Sequence, residues 1–161
     1  MMRVVTAGVL HVGDMADILN EIIAIGGTTA LSKPLSGDEL RGWMQRALDR
    51  SAWHVAEDDE GKIVGFQWIE PADYLPRDAA EIATFAKVGR TGLGIGSSLF
   101  DKTRTAARRL GYKWINANIR ADNAGGLAYY QSRGFEIYGT KANVRMDTGE
   151  VVDKVLKRYD L

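Results

Sequence analysis

The sequence predicts an α/β fold: a mixed, mostly antiparallel central sheet flanked by helices, in a single domain over residues 1–161. Three observations carry this. The length suits one compact domain with its own core. No internal repeat, low-complexity tract or composition break marks a linker. The element order reads β-α-α-β-β-β-α-β-α-β-β, with hairpin-type links in its early and final parts, and such links make antiparallel pairs.

The elements follow from local pattern. "RVVTA" (3–7) reads as a short apolar strand. In 14–25, Met15, Ile18, Leu19, Ile22 and Ile23 recur at helical spacing and Gly26-Gly27 follows as a stop. Ser36 and Glu39 form a capping box, after which Leu40, Trp43, Met44, Ala47 and Leu48 line one helical face. Residues 53–70 read as a hairpin around an acidic turn, with the run Glu57–Glu60 taken as solvated. "AEIATFAKV" (80–88) is a strand leading into "RTGLGIGSS" (90–98). Leu99, Thr103, Ala106 and Leu110 then continue a helical face to Gly111, with Arg104, Arg108 and Arg109 on the solvated side. "KWINANI" (113–119) is a buried strand, 123–134 a short helix ended by Gly134, and 135–146 and "VVDKVLKRY" the last two strands.

Composition excludes several classes. Lys plus Arg and Asp plus Glu each total 21, so the formal net charge is zero, which argues against a broad nucleic-acid-binding surface. Without cysteine there is no disulfide, thiolate metal site or cysteine nucleophile. The two histidines, His11 and His54, lack metal-ligand spacing to carboxylates, and no metal is expected. The N-terminus shows neither a long apolar span nor a signal-peptide pattern, so a soluble, cytoplasmic protein with no membrane partner is expected.

The chemistry centres on the glycines. A strand, then Gly92-Leu93-Gly94-Ile95-Gly96, then a helix leaves amide N–H groups at the positive end of a helix dipole, where a phosphate fits. Ser97 and Ser98 add hydroxyl donors. A tight turn in which the glycines serve packing alone is the competing reading. The P-loop pattern fails because no lysine follows the last glycine, and the dinucleotide fingerprint fails on its final spacing.

About 30 residues downstream stand Asn123, Tyr130 and Gly134-Phe135. Taken together and in order, "TGLGIGSSLF…N…YYQSRGFEIYG" resembles the GCN5-related N-acetyltransferase superfamily, and the N-terminal layout resembles its phosphinothricin and amino-acid acetyltransferases. The resemblance implies acetyl-CoA as co-substrate and the primary amine of a small molecule, an amino acid or analogue, as acceptor. Acetylation of protein lysines or N-termini and a non-catalytic acyl-CoA-sensing domain are the rivals. It implies a pyrophosphate site on amides of Gly92, Gly94, Ile95, Gly96 and Ser97. The pantetheine arm would pair with the backbone of Phe85, Ala86, Lys87 and Val88, and Asn123 would contact that arm. Tyr130 would protonate the leaving thiolate and Glu81 would act as general base through water. Thr91 stands where the family usually has Arg or Gln, with Arg90 one place earlier, and Gly126 is expected to loosen the last helix. The final hairpin is a candidate homodimer surface.

Overall fold

The computed structural model describes residues 2–90 and 94–161. Its elements are β1 (Arg3–Thr6), a 3-10 turn (Val9–His11), α1 (Val12–Ile25), α2 (Gly37–Met44), β2 (Ala52–Glu57), β3 (Ile63–Glu70), β4 (Ala79–Ala86), α3 (Ile95–Arg109), β5 (Trp114–Arg120), α4 (Ala124–Ser132), β6 (Glu136–Arg145) and β7 (Val151–Asp160). The described strands form one sheet in the order β1-β2-β3-β4-β5-β7-β6. Every adjacent pair is antiparallel except β4 and β5, which are parallel and joined by the α3 crossover.

Alternation along each strand divides the side chains between two faces. On one, which we call the α1 face, Trp53, Val55, Phe66 and Trp68 pack against Met15, Leu19 and Ile23 of α1 and Leu40 of α2. Trp53 and Trp68 stack with centroids 4.2 Å apart. On the other, the α3 face, Phe100 and Ala107 of α3 and Tyr130 of α4 pack over Ile82, Ile115 and Ile119. Helices on both faces of a sheet bury apolar area on each side, which is the main stabilising term here.

Local signals in the sequence explain most of the boundaries. Ser36 Oγ accepts from the Glu39 amide at 3.1 Å and Glu39 reaches back to the Ser36 amide at 3.3 Å, so the capping box forms as expected. Gly26, Gly111 and Gly134 end their helices with φ of +76°, +89° and +98°.

Three expectations are corrected. The second helix stops at Met44; Ala47 takes a left-handed φ of +47°, which breaks the helical repeat and leaves Leu48 70% exposed. The strand expected over 80–88 spans Ala79–Ala86, and the backbone turns away at Gly89, where φ is +83°. The acidic run is not simply solvated: Glu57 pairs with Arg3 at 2.8 Å and faces His11, while Asp58 Oδ1 accepts the amides of Glu60 and Lys62 and so closes the hairpin turn.

Candidate active site

The parallel pairing of β4 with β5 covers only Ala79↔Trp114, Ala80↔Ile115 and Glu81↔Asn116. Beyond that point β4 continues to Ala86 and β5 to Arg120 without pairing to each other. A gap therefore opens in the sheet just past Glu81. On its other edge β4 stays fully paired with β3, as far as the Lys87 amide, which donates to the Val64 carbonyl at 2.8 Å. Antiparallel ladders alternate, so Lys87, Phe85 and Ala83 turn their polar groups to β3, and Ala86 and Thr84 turn theirs to the gap, while the Ile82 amide closes the last rung of the β4–β5 ladder. Val88 lies past the strand and is 41% exposed.

Glu81 stands at the head of the gap on the α1 face. Its Oε1 accepts from the Tyr74 hydroxyl and, at 3.1 Å, from Asn116 Nδ2. Asn116 is fully buried; its Nδ2 also donates to the Tyr74 hydroxyl at 2.9 Å, and its Oδ1 accepts from Tyr138. Burial raises the Glu81 pKa above the ordinary carboxylate value, while the hydrogen bonds from Tyr74 and Asn116 and the charge of Lys154 pull it back down. Burial and the neighbouring carboxylate push Tyr74 far upward, so it serves as a fixed donor.

Tyr130 approaches from the opposite, α3 face. Its hydroxyl is 2.9 Å from Thr84 Oγ1, which itself accepts from Gln67 Nε2 at 2.8 Å. Gln67 also donates to the Tyr129 hydroxyl at 3.1 Å, and Tyr129 donates to the Gly96 carbonyl at 2.7 Å. One network thus ties β3, β4, α4 and the start of α3 together. Burial raises the Tyr130 pKa strongly, which keeps its proton in place, and pushes Tyr129 up to about 12. A carboxylate on one face and a buried phenol on the other flank a gap between two strands. That arrangement can take a proton from a nucleophile on one side and return one to a leaving group on the other.

The start of α3 offers a further anchor. Gly94 is its N-cap at φ +78°, with no side-chain cap, and the first helical hydrogen bond runs from Ser98 N to Gly94 O at 3.1 Å. The amides of Ile95, Gly96 and Ser97 precede that bond and lack a carbonyl partner inside the helix. Such a set fits an anionic group. Gly96 has a packing duty as well: a Cβ there would stand 2.4 Å from the Tyr129 ring. Thr91 and Gly92, also expected to serve the phosphate, lie outside the described residues.

Two other expected contacts are engaged within the protein. Arg90 rests 3.6 Å from Asp58. Asn123 caps α4, its Oδ1 accepting from the Gly126 amide at 3.0 Å, and donates to the Thr28 carbonyl at 3.2 Å. Gly126 does not loosen this helix; a Cβ there would lie 2.6 Å from Asn123 Nδ2, so glycine is what lets the cap close.

The residues missed from sequence are Tyr74, Thr84, Gln67, Asn116, Asn118, Tyr138 and Lys154. Asn116 and Asn118 carried a signal, since two polar residues alternate within an otherwise apolar strand. A cavity of about 440 Å³ lies at the far edge of the sheet, between the end of β1, α2 and the end of α3, and contains none of these groups. The gap between β4 and β5 is the better candidate because titratable groups converge on it.

The description "Acetyltransferase (GNAT) family" matches residues 24–135. The chain belongs to that family. The GNAT match covers β2 to β5, the glycine turn and α4, the parts that build the gap. Among relatives, the chain is 27% identical over 148 residues to the Bacillus subtilis protein YwnH, which bears the name of a phosphinothricin acetyltransferase, covering 89% of this chain and 85% of that one. Its fold is similar to that of a ribosomal-protein-alanine N-acetyltransferase from Brucella melitensis, with a TM-score of 0.90 at 23% identity over 99% of both chains. It is also similar to a GNAT phosphinothricin acetyltransferase from Sinorhizobium meliloti solved with AcCoA, with a TM-score of 0.87 at 19% identity over 99% of this chain and 88% of that one. Among the described residues no helix is long and apolar enough to cross a membrane.

Proposed function

We propose that this GNAT acetyltransferase transfers the acetyl group of acetyl-CoA to the primary amine of a small molecule, an amino acid or close analogue. The observation that carries the reading is the gap beyond Glu81, with Glu81 on one face and Tyr130 on the other. Acetyl-CoA supplies the activated thioester. The edge of β4 at Thr84 and Ala86 is suited to hold its arm as an added strand, and the amides of Ile95, Gly96 and Ser97 are suited to its pyrophosphate. Residues 85–88, Arg90 and Asn123 belong to the rim of that site.

The acceptor approaches on the α1 face, where Glu81 takes the proton that an ammonium must lose before it can attack. A raised pKa brings Glu81 closer to the amine in proton affinity, which aids transfer directly or through a water. Tyr130 is buried, protonated and poised on the α3 face, so it gives its proton to the departing sulfur. The likeness to YwnH supports a small acceptor.

The test is thiol release from acetyl-CoA across panels of amino acids, polyamines and peptides. Turnover is expected on free amino acids and absent on peptides. Tyr130→Phe is expected to lower kcat at least tenfold with little change in KM for acetyl-CoA. Turnover restricted to polypeptides would remove the small-molecule reading, and an unimpaired Tyr130→Phe would remove the acid.

A further inference from the structure

The α1 face of β5, β6 and β7 carries four cations, and two of them are already neutralised. Arg120 is held by Asp122 at 2.8 Å and Glu150 at 3.1 Å, and Arg158 by Asp160 at 2.8 Å. Lys141 lies over the Tyr74 ring, 4.3 Å from its centroid. Lys154 differs from all of them. It is 9% exposed and makes no hydrogen bond or ion pair with any described residue, although it lies close enough to Glu81 to draw that carboxylate's pKa down. Register places it opposite both Arg120 and Lys141, so cations flank it on either side. Burying an unpaired ammonium beside like charges is costly, and such a group persists in a fold where something else compensates it.

A second orphan lies on the same face. Asn118 sits two residues past the last β4–β5 pair; its Nδ2 reaches the Tyr74 hydroxyl at 3.4 Å, but its Oδ1 is buried without a donor. The acceptor site thus holds an unmatched cation and an unmatched acceptor oxygen. Glu70 is already paired to Arg46 at 3.0 Å, and Glu81, at the head of the gap, is held by Tyr74 and Asn116, so neither carboxylate gives Lys154 a direct partner. A simple monoamine or polyamine would leave it without one. A molecule with both an ammonium and a carboxylate would satisfy each orphan.

Resting on the transferase reading, we infer that Lys154 binds the carboxylate of a zwitterionic acceptor, while Asn118 Oδ1 and Glu81 receive its ammonium. The anion requirement, set by Lys154, selects free amino acids over amines, amides and lysines within a polypeptide.

The test uses a panel of free amino acids, each matched with its amide and its decarboxylated amine, such as L-leucine, L-leucinamide and isoamylamine. Thiol release from acetyl-CoA is measured together with the melting shift each compound produces in the presence of CoA. For the wild type, the amino acid is expected to exceed its amide at least tenfold in kcat/KM and to give the larger melting shift. Lys154→Met, which keeps the side-chain length and removes the charge, is expected to raise the KM for the amino acid about tenfold and leave the amide's KM within about twofold, with any change in kcat, through the lost pull on Glu81, the same for both. Lys154→Arg is expected to retain the preference. Equal use or equal binding of amide and amino acid by the wild type overturns the inference. So does an absence of binding by every amino acid, or a Lys154→Met effect of the same size on all three compounds. Carboxylate-dependent melting shifts without any thiol release would instead overturn the transferase reading and leave the anion site standing.

Discussion

A carboxylate that is buried yet hydrogen-bonded is pulled towards two protonation states, and Glu81 is such a group. Desolvation favours its neutral form, whereas Tyr74 and Asn116 donate to its charged form, and the net effect is a raised pKa. Two consequences have opposite signs for activity and stability. In its proposed role as base, Glu81 would work only when ionised, so kcat/KM is expected to rise with pH through its elevated pKa. Glu81→Gln is expected to lose about 100-fold or more and to flatten that limb. For stability, the folded pKa lies above that of an ordinary glutamate, so the folded state binds the extra proton and Glu81 favours folding most at low pH. That contribution is lost as pH rises through the folded pKa. Glu81→Gln is therefore expected to melt higher than the wild type at pH 8, with the gain vanishing below pH 4.5; a variant that is less stable at both pH values would contradict the assignment of burial as the dominant cause. Little of this was legible beforehand. Glu81 could be singled out by position and resemblance, but Tyr74 comes from an aperiodic loop and Tyr138 from a strand with a register shift, and such long-range convergence leaves no local pattern.

At the scale of elements, the start of α3 shows that neighbouring glycines can serve different ends. Gly94 is needed for its left-handed backbone, with open space where a Cβ would stand, while Gly96 is needed because the Tyr129 ring occupies that space. Gly94→Ala is expected to cost about 1–2 kcal/mol through backbone strain alone. Gly96→Ala is expected to cost about 1–3 kcal/mol through overpacking, because Tyr129 is held at its hydroxyl by Gly96 and Gln67 and cannot simply step aside. Pairing Gly96→Ala with Tyr129→Leu in urea unfolding should show strong non-additivity, and additive effects would mean the ring is not the obstacle. The helices and strands themselves were readable from periodicity and caps: the Ser36–Glu39 box and the glycine stops at Gly111 and Gly134 are all in place. What misled was the end of α2, where Ala47 and Leu48 continue an apolar pattern that the backbone abandons. Of the two readings of the glycine turn, close packing holds at Gly96, where the Tyr129 ring fills the space, while the anion cradle remains a proposal.

For the molecule as a whole, the consequential feature is that one sheet is joined along its entire width and yet parts company between β4 and β5 after Glu81 and Asn116. Element order alone showed that a crossover helix would join two strands after the hairpin half. It could not show that their pairing would stop after three residue pairs, since no residue type marks the end of a parallel ladder. The unpaired edge carries a prediction about hydrogen exchange. Ala83 and Phe85 direct their amides to β3, continuing the alternation fixed by the Lys87–Val64 bond, and the Ile82 amide closes the last β4–β5 rung, whereas Thr84 and Ala86 direct theirs into the gap. If acetyl-CoA lies along β4 as an added strand, it should slow exchange at Thr84, Ala86 or both while hardly changing Ala83 and Phe85. It should also raise the overall unfolding free energy by RT ln(1 + [L]/Kd), about 2.7 kcal/mol at a hundredfold excess over Kd. Since the gap divides the sheet into two halves, the same ligand would bridge the half packed on α1 and α2 to the half carrying β5–β7. Protection should then extend to β5 amides that lie past Asn116. Stabilisation that leaves the gap-facing amides of β4 exchanging at their free rate would place the ligand elsewhere and remove the physical basis for pairing Glu81 with Tyr130.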